Sequence, residues 1–222
     1  MNIQSYPFGP LQANLYILFL KKHAFIIDPC VSLDSLDLKN RKVAGIFMTH
    51  AHYDHILEAD LLAATTSAPL IALDQEKDAF IDPVKNGSLS FCNSEISIQT
   101  QLLLLKDGDV LSTADFGIDD ELFVLRVMHT PGHSSGSMCL LFEFPDQEGP
   151  KKHIFTGDTL FSGTIGRTDI GGNMGEMRRS IAKIAALPDH VIVYPGHGES
   201  TTIGRERQWN PYFTPTFYND II

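Results

Sequence analysis

Thr49–His55 reads THAHYDH and follows directly on the apolar run Val43–Met48. A short apolar run that opens into polar residues marks a buried strand passing into a loop. In an extended chain His50 and His52 point to the same side, because side chains alternate with period two. Two imidazoles so placed can grip one metal ion, while Asp54 and His55, just past the strand, can turn toward a second position. Neutral imidazole and carboxylate are the donors that zinc, iron and manganese accept in catalytic sites. An affinity tag would sit at a terminus and would lack the intervening Asp.

Three distant segments repeat the arrangement. The run Phe123–Met128 ends in HTPGHSSGS, which offers His129 and His133 around a Pro-Gly turn. The run His153–Thr156 ends in GDT and offers Asp158, and Val191–Tyr194 ends in PGHG and offers His197. Each candidate ligand thus follows an apolar strand and falls in a Gly-containing loop. Active sites on layered αβ folds collect at such strand ends.

Further β-rich runs are Leu15–Leu20, Ala24–Ile27, Leu70–Leu73 and Met138–Phe144, and residues 145–152, PDQEGPKK, read as an exposed hairpin tip. Met177, Ile181, Ile184 and Leu187 fall at helical spacing, with Asn173 and Glu176 resembling a capped start and Pro188 a stop. A second helix is expected from near His55 through Leu61–Ala64. Strands interspersed with helices suggest sheets packed on each other with helices outside, in a single domain spanning 1–222.

The 222 residues are 43% hydrophobic and 20% charged, ordinary for a globular protein, and carry a net charge of −10. That charge, without any Lys/Arg run, argues against a nucleic-acid partner. Cys30, Cys92 and Cys139 form no CxxC pair and suit a reducing compartment. The N-terminal segment lacks the pattern of a signal peptide, and no stretch approaches the length of a membrane helix. A cytoplasmic protein with no membrane partner is expected.

Taken together, THAHYDH, HTPGHSSGS, TGDT and YPGHG resemble the metallo-β-lactamase superfamily, in its glyoxalase II-like hydrolase branch. GPLQANLYIL, IIDPC, FSGTIGRTDIGG and TTIGRERQWNP extend the likeness over nearly the whole chain. The resemblance implies an α/β four-layer αββα sandwich with the site at one edge. It implies two ions per chain, zinc first and iron or manganese as alternatives. His50, His52 and His133 would hold one ion and Asp54, His55 and His197 the other, with Asp158 bridging. Two such cations lower the pKa of a shared water toward neutrality, and so supply hydroxide at physiological pH. Asp54 and Asp158 are the expected catalytic carboxylates, and a small-molecule thioester or related acyl compound the expected substrate. No obvious strong general acid is present, and a thiol, with a pKa of about 8.5, leaves without one.

His129 is expected to support rather than ligate, Asp28 to buttress the metal ligands, and Cys30 to be a buried inert thiol. His23, His153 and His190 are expected to be surface or structural. Arg167 either binds a substrate carboxylate or pairs with Asp169. The glyoxalase II pattern has an aromatic residue where this chain has Asp169, and a basic C-terminal extension beyond the point where this chain stops. Dedicated lactoylglutathione hydrolysis is therefore not expected. Persulfide dioxygenases share the GRTD segment, Gly166–Asp169, but bind one iron through two His and an Asp. The YPGHG segment favours the hydrolase branch over that alternative. Nuclease relatives are disfavoured by the acidic charge, and β-lactam hydrolysis is expected at most as a weak side activity.

Overall fold

Leu15, Ile17 and Phe19 bury toward one side of their strand, and Tyr16, Leu18 and Leu20 bury toward the other. A strand apolar on both faces must lie inside a stack of layers. The computed structural model, which describes residues 2–119 and 121–219, has that stack.

One six-stranded sheet runs β1 (Asn2–Phe8), β2 (Ala13–Phe19), β3 (His23–Ile27), β4 (Lys42–Phe47), β5 (Leu70–Leu73) and β6 (Leu102–Leu105), in that spatial order. The second contains β7 (Val110–Ser112), β8 (Val124–His129), β9 (Met138–Phe144) and β10 (Lys151–Gly157). After a small hairpin of β11 (Leu160–Phe161) and β12 (Thr164–Ile165), it is completed by β13 (Ile192–Pro195) and β14 (Thr201–Thr202). Its order is β14-β13-β10-β9-β8-β7. Helices α1 (Tyr53–Ile56), α2 (Ala59–Thr66), α3 (Lys77–Phe80) and α4 (Ser88–Cys92) follow strands of the first sheet. Helices α5 (Met174–Ala185), α6 (Ile203–Trp209) and α7 (Pro215–Asn219) accompany the second.

Three apolar layers hold the stack together. Ile26, Ile46, Leu70 and Ala72 meet Ile56, Leu62 and Phe80 between the first sheet and its helices. Phe25, Phe47, Leu125, Leu140, Phe142 and Phe155 fill the space between the sheets. Cys139, Leu141, Ile154 and Val193 meet Met177, Ile181, Ile184 and Ile203 beneath the outer helices of the second sheet. Helix, sheet, sheet, helix is the αββα order expected from the sequence.

The capped start of α5 is also present: the Asn173 side chain accepts a hydrogen bond from Glu176 N at 3.0 Å, and the helix ends three residues before Pro188. Several elements differ from the sequence reading. β1 is a partly exposed edge strand containing Pro7, so it lacks the apolar alternation that reveals a strand. The short edges at the opposite end, β6 and β7, also lie outside the runs read from the sequence; β7 is only three residues long, whereas β6 is four leucines. The helix expected from His55 to Ala64 is two helices, broken at Leu57–Glu58. Lys151 and Lys152, read as part of a hairpin tip, lie in β10 and pair with Phe144 and Glu143. Among the described residues no helix is long and apolar enough to cross a membrane.

Candidate metal centre

The candidate ligands gather where strand ends from both sheets meet. His50 and His52 leave β4, Asp54 and His55 open α1, His133 follows β8, Asp158 follows β10 and His197 follows β13. Backbone bonds lock these ends together: Met138 N donates to Thr49 O (2.9 Å), Gly196 N to Gly157 O (2.8 Å) and Asn14 N to Gly196 O (2.7 Å). Three groups of donor atoms result, each lying within 4.8 Å of one another: His50, His52 and His133; His50, His55 and Asp158; and Asp54, His55 and His197. Asp158 joins the two outer groups. Its Oδ2 is 3.4 Å from both His133 Nε2 and His197 Nε2, and its Oδ1 is 3.4 Å from His55 Nε2.

Hydrogen bonds outside the cluster assign the imidazole tautomers. His55 Nδ1 donates to Asp28 Oδ2 (3.1 Å), His133 Nδ1 to Arg167 O (2.8 Å) and His197 Nδ1 to Leu11 O (2.9 Å). Thr49 Oγ1 donates to Asp28 Oδ2 (2.9 Å) and so accepts from His50 Nδ1 at 3.0 Å. In all four rings the Nε2 lone pair is left facing inward. This is the outer-shell arrangement that orients metal-binding histidines. His52 instead presents Nδ1, 2.7 Å from His133 Nε2, while His55 Nε2 and His197 Nε2 approach to 3.2 Å. Lone pairs this close repel unless a cation lies among them. His50 Nε2 and Asp158 Oδ1 are also buried without a hydrogen-bond partner, which is costly for a polar atom. The donor set therefore fits two divalent cations.

Charge leads to the same conclusion. Burial alone would raise the Asp158 pKa, but His55, His197, His133 and His50 hold it well below the ordinary carboxylate value. Burial lowers the His55 pKa, yet Asp158, Asp54 and Asp28 push it up to about 9. His197 is driven to about 11, again against burial, by Asp158 and Asp54. His52 goes the other way, to about 4, through burial and the neighbouring His133. The carboxylate side of the cluster thus attracts positive charge, and His50 and His52, both lowered chiefly by burial, stay neutral and able to donate lone pairs.

Two supporting carboxylates lie behind the ligands. Asp28 was legible from IIDPC; it accepts from Thr49 N (2.7 Å), Thr49 Oγ1 and His55 Nδ1. Glu76 was missed. It is buried after β5, and its carboxylate accepts from Ala51 N (3.2 Å) and Gly136 N (2.6 Å), tying the loop of His50 and His52 to the loop of His133. A Cβ at Gly136 would overlap Glu76, so only glycine allows this approach. The one available signal was Gly136 itself, since nothing local in DQEKDAF sets Glu76 apart. Glu76→Gln turns one acceptor into a donor that faces a backbone N–H. The expected result, read by calorimetric metal titration, is a loss of roughly 1–3 kcal/mol of stability with weaker binding at the His50, His52 and His133 position.

His129 accepts no role in the donor groups; its Nε2 contacts Ser135 O at 2.9 Å within the His133 loop. His153 is buried against Tyr194, and His23 and His190 also lie outside the donor groups. Cys30 is buried, directs its Sγ to Ala13 O (3.5 Å), and is pushed up to about 12 by burial and by Asp28, so it stays a thiol. Arg167 pairs with Asp169 through two 2.7 Å contacts and lines the cleft with its ligand neighbours. That cleft, of ≈ 740 Å³, opens over His52, Asp54, His133, Asp158 and His197.

Residues 8–197 match the Metallo-beta-lactamase superfamily, and the chain belongs to that family of metal-dependent hydrolases. It is 32% identical over 225 residues to the hydroxyacylglutathione hydrolase GloC of Haemophilus influenzae, spanning 96% of this chain and 98% of that protein. Among solved structures it is similar to the BLEG-1 B3 metallo-beta-lactamase, with TM-score 0.81, 35% identity, and coverage of 96% of this chain and 100% of the other. It is also similar to TTHA1623 in a di-iron-bound form, with TM-score 0.73, 28% identity, and coverage of 94% and 99%. The chain is thus a glyoxalase II-like member of the superfamily, and family membership leaves the metal open between zinc and iron.

Proposed function

We propose that this protein is a two-metal hydrolase of thioesters or related small acyl compounds. The observation that carries the reading is the two outer donor groups with Asp158 between them, and inward lone pairs fixed by Asp28, Thr49, Arg167 O and Leu11 O. His50, His52 and His133 would hold one ion, Asp54, His55 and His197 the other, and Asp158 both. Bound there, two divalent cations supply Lewis acidity and a water acidified toward neutrality. The chain's own residues do the rest. Asp54 lines the cleft as a carboxylate, held below its ordinary pKa against burial by His55 and His197, and would orient the attacking water. A thiol leaving group departs without a dedicated acid.

Substrate choice follows from the loop Gly163–Gly172. Its one basic side chain, Arg167, is engaged by Asp169, at the position where glyoxalase II carries an aromatic. Each lost charge-assisted contact to glutathione costs roughly 1.5–3 kcal/mol of binding. Steady-state kinetics should therefore show turnover of lactoylglutathione with a high KM, and little advantage over acetyl thioesters. A low-micromolar KM confined to the glutathione compound would contradict this. Oxygen uptake on glutathione persulfide, in place of thioester turnover, would establish the dioxygenase chemistry instead.

A further inference from the structure

One wall of the same cleft, beside the candidate ligands, is apolar. Asn86 and Ser88 are fully buried at its base. Asn86 O accepts from Tyr53 N (2.9 Å), Asn86 Nδ2 donates to Ile96 O (2.8 Å), Ser88 N donates to Asn86 Oδ1 (2.9 Å), and Ile96 N donates to Ser88 Oγ (3.1 Å). These bonds fix the segment 86–96 to the residue immediately before Asp54. The segment uses this support to present Phe91, which is 56% exposed and stacked on Tyr53 at 6.5 Å and 16°. Leu11, itself 53% exposed, together with Phe161, Ile170 and Pro10, supplies the other apolar lining. Apart from the histidines, Arg167 is the one basic side chain among the described lining residues, and Asp169 holds it.

An exposed phenylalanine stacked on a half-buried tyrosine, and fixed by buried polar residues in a cleft, gains free energy when an apolar ligand covers it. Building on the thioesterase reading, we propose that this wall selects substrates carrying an uncharged apolar group, aliphatic or aryl, next to the scissile bond. Polar or charged flanking groups gain nothing from it. The apolar group can belong to the acyl side or to the thiol side.

The test uses the metal-loaded full chain. Acetyl, butyryl and hexanoyl esters of one thiol vary the acyl side, and acetyl esters of ethanethiol, butanethiol and hexanethiol vary the leaving group. The expected result is a rise in kcat/KM of up to roughly fourfold per methylene, at least tenfold across one series, and the series that rises identifies the side held by the wall. Phe91→Ala should remove most of the gradient while metal content stays at the wild-type level. A second measurement does not depend on turnover. Cys92 is the exposed cysteine of the three and lines the same cleft, so hexanoate, and not lactate, should slow its alkylation by iodoacetamide. Flat gradients in both series with no protection of Cys92 would overturn the proposal and leave the thioesterase reading standing. Protection by hexanoate with no thioester hydrolysed would leave the apolar site standing and overturn the thioesterase reading.

Discussion

Asp158→Asn is expected to abolish hydrolysis, by at least about a thousandfold or roughly 4 kcal/mol of transition-state stabilisation, and to reduce metal occupancy at both positions together. Asp158 is the carboxylate that reaches both outer donor groups, His133 and His197 through Oδ2 and His55 through Oδ1. Asparagine removes the negative charge and replaces one oxygen by an N–H donor. With no remaining lone pair on that atom, one cation loses a ligand whichever way the amide turns. The readout is elemental analysis beside kcat. A variant that keeps full metal content and rate would show that Asp158 bridges nothing.

Gly196→Ala is the second change expected to have a large effect, although it alters no ligand. A Cβ at this position would collide with Asp158 Oδ1 and lie 2.8 Å from His55 Cε1. Relief requires the Pro195–Gly198 turn to move, and that turn carries His197. Moving it breaks the bonds of Gly196 N to Gly157 O and of Asn14 N to Gly196 O. Overpacking of this kind costs roughly 1–3 kcal/mol, a fall in Tm of about 2–12 °C for a chain of this size. The position held by Asp54, His55 and His197 should lose metal first. Calorimetric metal titration and thermal unfolding together check this, and unchanged affinity at both positions would contradict it.

The candidate metal ligands were legible as a group because each sits in a short local pattern, an apolar strand followed by His or Asp in a Gly-containing loop, and the fold brings those loops together. His50 and His52 do come together, as period-two alternation suggests, although β4 ends at Phe47 and both lie in the loop beyond it. The buried centre of the fold was legible for a related reason, since strands such as Leu15–Leu20 are apolar on both faces. What failed was at the edges. Asn2–Phe8 and Val110–Ser112 pair on one side only, so burial imposes no pattern on them. Glu76 and the Phe91 wall were missed because their roles depend on partners distant in sequence. Glu76 acts through Gly136, sixty positions away, and Phe91 through Tyr53, which stands at the opening of α1. Arg167 shows a different limit: its sequence allowed two partners, and the geometry pairs it with Asp169.

Stability and chemistry are coupled at this centre. The buried carboxylates and inward lone pairs are satisfied only by positive charge, so binding of cations to the folded chain should raise its stability by mass action. Chelation should accordingly lower Tm, and zinc or iron should restore it.

The most direct test of a two-metal centre is the metal content of the purified, metal-replete protein, measured by elemental analysis against protein concentration. Two ions per chain are expected, falling below one in Asp158→Asn. One iron per chain, with no second ion taken up when metal is supplied in excess, would contradict it.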